Sequence, residues 1–197
     1  MEPLKNKLLA LLVQFPPYIK ITEGLEALKL YDFFFDDKYR YTIEVRHPSW
    51  FSDLAYNFFS NNNICMTWNQ FDKIQSPPIV TTDFLYLRLI GDRSIKDDEF
   101  EKIQKDREKK MRYWSDKFRE TQDNEKDVNV GIVAANNHYA GFEAATANMF
   151  RVMSGLAPVE WGKQKELDYS ADSELKFPEK SGYRNTKQKT LLDYPTG

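Results

Sequence analysis

Five short apolar runs, at residues 9–15, 41–46, 64–69, 84–90 and 128–136, take turns with stretches at 23–34, 52–61, 97–120 and 142–153 whose apolar residues recur at helical spacing. The runs read as strands and the intervening stretches as amphipathic helices. A strand that passes through a helix into the next strand enters the sheet parallel to the first, by a right-handed crossover. The alternation therefore predicts an α/β fold, a parallel sheet or barrel. The stretch 97–120 illustrates the pattern: Phe100, Ile103, Met111, Trp114 and Phe118 form one apolar stripe in a very charged background. Such a stripe packs on a sheet and leaves its charges in water.

Strand residues point alternately to opposite faces, so polar side chains can be sorted by side. In the second run Tyr41, Ile43 and Val45 share one face, and Thr42, Glu44 and Arg46 share the other. The apolar face is predicted to meet helices. Charged side chains are rarely placed in a strand unless they are paired or used, so the other face should look into something enclosed, such as a barrel interior. The fourth run repeats the arrangement, with Leu85, Leu87 and Leu89 opposite Tyr86, Arg88 and Ile90. By the same parity Gln14 points inward from the first run, and Cys65, Thr67 and Asn69 from the third. The fifth ends in Asn136, Asn137 and His138.

Ligand sites of parallel α/β folds lie at the carboxyl ends of the strands. Gln14, Arg46, His47, Asn69, Arg88, Asn136, Asn137 and His138 all fall at or near such ends. An architectural role fits the same residues. Glu44 and Arg46 stand two apart on one face and suit an internal ion pair, with Arg88 as a third member. His47, directly before Pro48, suits a turn cap, and His138 suits a hydrogen bond within its loop.

Composition narrows the partners. Lysine and arginine number 28 against 30 acidic residues, a formal charge of -2, which gives no overall field for drawing in nucleic acid or an anionic membrane. Any anion site must be local, and no basic stripe interleaved with aromatics supports nucleic-acid binding. The one cysteine, Cys65, leaves no internal disulfide framework and no multi-cysteine zinc site, and fits a reducing compartment. It reads as core. Residues 8–13 are apolar after Lys5 and Lys7 but run into Gln14-Phe15-Pro16-Pro17 without a cleavage site, which reads as a buried strand. No apolar stretch nears the roughly 20 residues that span a bilayer. A soluble, cytoplasmic protein without membrane partners is the expectation.

Four ordered segments carry a family resemblance: Leu-Val-Gln-Phe-Pro-Pro (12–17), Glu-Val-Arg-His-Pro-Ser-Trp-Phe (44–51), Thr-Thr-Asp-Phe-Leu-Tyr-Leu-Arg-Leu (81–89) and Asn-Asn-His-Tyr-Ala-Gly-Phe (136–142). Over about residues 4–156 the chain resembles the YecE-like family, domain of unknown function 72. The resemblance implies a TIM-type β/α barrel of unestablished activity, with Gln14, Glu44, Arg46, His47, Arg88, Asn136 and Asn137 lining its mouth. Two departures stand out. Family members usually carry a histidine where this chain has Ile90, between Leu89 and Gly91, and an aspartate near the end of the strand that here reads Met66-Thr67-Trp68-Asn69. Both weaken an acid/base or metal scheme taken from the family.

Family barrels begin with about three further βα units, including a Gly-Trp segment. The resemblance thus implies an α/β partial TIM-type β/α barrel, about its last five βα units, as a domain over residues 1–157. Five strands do not close an eight-stranded barrel. The expectation is an incomplete reading frame or fragment; the alternatives are a gap filled by a second chain, giving an oligomer, or by the C-terminal extension. That extension, residues 158–197, has seven basic and seven acidic residues with scattered Trp161, Tyr169, Phe177 and Tyr183. Its weak periodicity predicts a polar, partly disordered tail.

Two arginines, a histidine and several amides around one acid suit a small anionic ligand, because guanidinium groups grip carboxylate or phosphate in pairs of hydrogen bonds. The first functional expectation is an enzyme acting on a phosphorylated or carboxylated metabolite. Glu44 or His47 would serve as general acid/base, Arg46 and Arg88 as clamps, and Asn137 as an orienting donor. Gln14, Asn69, Asn136 and His138 complete the predicted ligand-binding set. The alternative is a barrel that binds an anion without transforming it, or a remnant without activity. Glu44, His47 and His138 match no established metal spacing, so no metal is predicted, and the sequence leaves the cofactor unknown. It lacks a Gly-rich phosphate loop, a nucleophile elbow and a helical zinc-protease motif.

Overall fold

The computed structural model describes residues 7–30, 38–71, 73–91, 94–125 and 127–160. Strands and helices alternate as the periodicity requires: β1 (Leu11–Gln14), α1 (Ile21–Leu30), β2 (Tyr41–Glu44), α2 (Asp53–Asn61), β3 (Ile64–Met66), β4 (Trp68–Phe71), β5 (Phe84–Gly91), α3 (Glu108–Asn124), β6 (Val130–Ala135), α4 (Asn137–Ala140) and α5 (Glu143–Met153). All strand pairs are parallel, in two sheets of order β1-β2-β3 and β4-β5-β6. The predicted third strand is split. It is interrupted at Thr67, whose N–H donates to the Ile43 carbonyl at 3.0 Å. Its first half pairs with β2 and its second with β5, so this one strand joins the two sheets into a wall.

Among the described residues β1 and β6 each pair with a single strand, and the wall does not close on itself. Leu12 and Val13, neighbours that face opposite sides of β1, are 36% and 38% exposed. The fold is a mixed α/β arrangement of parallel sheets backed by helices.

Two apolar clusters hold the helices on the outer face. Tyr41, Ile43 and Val45 of the second run pack with Leu25, Leu28, Trp50, Phe58 and Phe59. Trp50 lies between Phe15 and Phe59, with ring centroids 5.4 and 5.8 Å away, and its Nε1 donates to the Ile19 carbonyl at 3.0 Å. A Cβ on Gly24 of α1 would meet the Trp50 ring at 2.1 Å, so this glycine lets the helix sit directly on the indole. In the second cluster Leu85, Leu87 and Leu89 pack with Trp68, Met111, Trp114 and Phe150. Trp68 stacks on Trp114 at 5.5 Å and meets Phe118 edge-on at 5.4 Å. Aromatic pairs of this kind add about 0.5–1.5 kcal/mol to simple burial.

The predicted helix 97–120 is corrected at its start. Only Asp97–Glu99 forms a single 3-10 turn there, and α3 begins at Glu108. Glu101 takes a left-handed φ of 71°, which no helix interior accommodates. The Gln104 N–H is drawn to the Ala140 carbonyl at 2.7 Å, and the Asp106 carboxylate accepts the Glu108 N–H at 2.8 Å. Met111, Trp114 and Phe118 therefore form the helical stripe, while Phe100 and Ile103 belong to the loop before it. The first predicted helix is described over Ile21–Leu30, and its expected end at 31–34 lies outside the described residues, as does most of the extension, 161–197. Before that, Val159 and Asn148 of α5 exchange two hydrogen bonds, at 2.7 and 3.2 Å.

Candidate functional site

The face sorting predicted for the strands leads to one polar cluster. The register sets Gln14 beside Glu44 across β1 and β2, and Asn69 beside Arg88 across β4 and β5. Glu44 is fully buried, and each of its oxygens takes one guanidinium: Oε1 accepts Arg46 Nε at 2.5 Å, and Oε2 accepts Arg88 Nη1. Arg88 Nη1 also donates to Gln14 Oε1 at 3.0 Å. The Arg46 guanidinium lies 4.9 Å from the centre of the Phe71 ring, a cation–π contact that fixes its plane. Two cations share one anion, so the cluster carries one positive charge in excess. The arginine side chains are 24% and 20% exposed, and each keeps N–H groups beyond those spent on Glu44.

Asn69 lies on this same face. Thr67, two residues earlier, joins Thr42 through their hydroxyls at 2.7 Å, and the Asn69 Nδ2 donates to the Val45 carbonyl at 3.1 Å. The backbone of Asn69 is clamped on both sides by Ser76, with Oγ accepting its N–H at 2.7 Å and the Ser76 N–H donating to its carbonyl at 3.1 Å. Its side-chain Oδ1 is buried with no hydrogen-bond partner among the described residues.

Three of the other predicted residues, His47, Asn136 and Asn137, are taken up by turns, whereas His138 Nδ1 is buried without a hydrogen-bond partner among the described residues. His47 Nδ1 accepts the Ser49 N–H at 3.1 Å and lies 2.9 Å from Ser49 Oγ, capping the 3-10 turn Pro48–Trp50. An accepting Nδ1 places the imidazole proton on Nε2. Asn136 caps α4 by accepting the His138 N–H at 2.9 Å, and Asn137 Oδ1 accepts the Glu143 N–H at 2.8 Å at the start of α5. His138 lies edge-on to Phe100 at 5.3 Å, with Nδ1 3.7 Å from the Asp97 carboxylate. Gln14, Glu44, Arg46 and Arg88 thus form the connected set, with Asn69 in register beside Arg88. Phe71 is the member that sequence reasoning missed. An aromatic residue two positions beyond Asn69 was the available signal.

Burial pushes the Cys65 thiol up to about 12, against weaker downward pulls from Thr42 and a backbone N–H. At neutral pH it is a thiol within the core, not a nucleophile. Burial also raises Tyr139, opposed by the nearby Arg107 guanidinium. Among the described residues no three His, Cys, Asp or Glu side chains cluster to hold a metal ion, and no helix is long and apolar enough to cross a membrane.

A DUF72 family protein from Thermotoga maritima shares the fold, with 26% identity and a TM-score of 0.63, over 77% of this chain and 60% of that one. A DUF72 family protein from Enterococcus faecalis is similar at 21% identity and a TM-score of 0.61, over 77% of this chain and 62% of that one. The chain thus spans about three-fifths of the length of these solved structures. No curated protein matches it. The family model described as "Protein of unknown function DUF72" matches residues 1–168, and the chain belongs to that family.

Proposed function

We propose that the inward face of the wall binds a small anionic metabolite, phosphorylated or carboxylated, between Arg46 and Arg88. One observation carries the reading: a single buried carboxylate is shared by two partly exposed guanidinium groups, one just beyond β2 and one in the second half of β5. An anion completes that charge balance, and each arginine has donors left to grip it. The wall is then a segment of a TIM-type β/α barrel, with the site where such barrels place ligands. A free, buried Cys65 suits a cytoplasmic setting.

In the catalytic form of this reading His47 is the proton-transfer group. Its Nε2–H is not used by the turn, whereas both Glu44 oxygens are committed to arginines. Glu44 then orients the clamps. A non-catalytic anion-binding role is the second reading, favoured by that same commitment of the cluster's acid.

The test is a thermal-shift screen of phosphorylated and carboxylated metabolites on the protein and on Arg46→Met and Arg88→Met. Ligands that stabilise the protein should lose their effect on both variants; a stabilisation that both variants retain refutes the site. For a confirmed ligand, turnover that survives replacement of His47 and His138 by glutamine removes the histidine assignment. Affinity without product over long incubation selects the binding role.

A further inference from the structure

We propose that the anion recognised here is hydroxylated beside its charged group, as in a polyol phosphate or a hydroxy acid, and that Asn69 reads the hydroxyl. This rests on the anion-site reading above and specifies its ligand. Asn69 is 0% exposed and its amide orientation is fixed, because a carbonyl at Val45 must face the NH2 end. The remaining atom, Oδ1, is an acceptor without a donor among the described residues. Buried acceptors are almost always satisfied in native proteins, and an exception calls for an absent partner.

The position of this atom decides what that partner is. Asn69 stands in register with Arg88 on one side and bonds the Val45 carbonyl, one residue before Arg46, on the other. These contacts set Asn69 beside both arginine-bearing segments, and we assign the donor to Oδ1 to a molecule held by the two arginines. An ammonium and a hydroxyl can both donate. The cluster already holds two cations against one anion, which repels an ammonium and leaves the neutral hydroxyl. Ser76 holds the Asn69 backbone from both sides and the Nδ2 bond to the Val45 carbonyl holds its amide, so the acceptor does not turn away to find another donor.

Calorimetric titration with three probes tests the proposal: inorganic phosphate, glycerol 3-phosphate and n-propyl phosphate, on the protein and on Asn69→Ala. Glycerol phosphate should bind about tenfold or more tighter than propyl phosphate, as expected where a buried acceptor is otherwise left unpaired. Asn69→Ala should bring the two esters to near equality and leave inorganic phosphate within about threefold of its original affinity, a change of about 0.7 kcal/mol or less. Asn69→Ser, which keeps a shorter acceptor, serves if the alanine variant does not fold. Glycerate against propionate reads the carboxylate version in the same way. Phosphate binding with no preference for the hydroxylated ester overturns this inference alone and leaves Oδ1 to a buried water. Absence of binding by all of these anions overturns the anion site as well.

Discussion

Replacing Glu44 by glutamine removes the one negative charge that two arginines share. The new side-chain amide would keep an acceptor for one guanidinium and turn its NH2 toward the other, leaving two cations without a counter-charge. Breaking a buried pair in this way costs about 3–5 kcal/mol. The arginines retain 24% and 20% of their exposure, so water takes up part of the loss and the lower end, about 3 kcal/mol, applies. With a urea dependence of about 2 kcal/mol per molar, the unfolding midpoint should fall by about 1.5 M. The buried Trp50, Trp68 and Trp114 report the transition by fluorescence. The surface pair of Arg112 and Glu108, 60% and 52% exposed, is the internal contrast: Glu108→Gln should change stability by no more than about 0.5 kcal/mol. Phosphate at about five times its dissociation constant should return about 1 kcal/mol to Glu44→Gln, by binding the arginines in the native state. A loss under about 1 kcal/mol on replacing Glu44 would refute the buried-triad reasoning.

Three further outcomes are expected. Gly91→Ala should cost at least about 2 kcal/mol in thermal unfolding, since φ is +76° and the new Cβ would lie 2.2 Å from the His138 carbonyl oxygen. Asn136→Ala removes the cap of α4; a loss of about 1 kcal/mol and faster hydrogen exchange at the His138 amide should follow. Cys65 is raised from its ordinary 9.0 to about 12 by burial. The native state therefore keeps a proton that the unfolded chain releases above about pH 9, and stability falls as pH rises from 9 toward 12, by up to about 1.4 kcal/mol per pH unit. Comparing the alkaline limb of urea midpoints with that of Cys65→Ala, which should be flatter, checks this.

The architecture was legible because periods of 2 and 3.6 separate cleanly in a chain of short strands and amphipathic helices. The triad was legible for the same reason: Glu44, Arg46 and Arg88 share a face by parity, and that parity survives into the structure. What periodicity does not report is local capping. Phe100 and Ile103 fit the helical stripe of α3, yet the Asp106 carboxylate takes up the Glu108 N–H at a later start and Glu101 breaks the turn. Asn136, Asn137 and His47 gathered at strand ends as candidate ligands, but short polar side chains at such positions also satisfy the free N–H groups of the next helix or turn. Asn69 was placed on the right face, while its orphaned Oδ1 depends on which carbonyl its NH2 finds, a tertiary fact. Phe71 escaped because an aromatic residue following a strand reads as core until a guanidinium is found over it.

Arg46 and Arg88 together hold the anion in this reading, and the arginine Nε–Hε resonances in an NMR titration with phosphate report on those groups directly. The Arg46 and Arg88 signals should shift saturably with one common midpoint, while the exposed Arg112 and Arg119 respond weakly and without saturation. Signals of Arg46 and Arg88 that stay fixed, or move only as the surface arginines do, would contradict it.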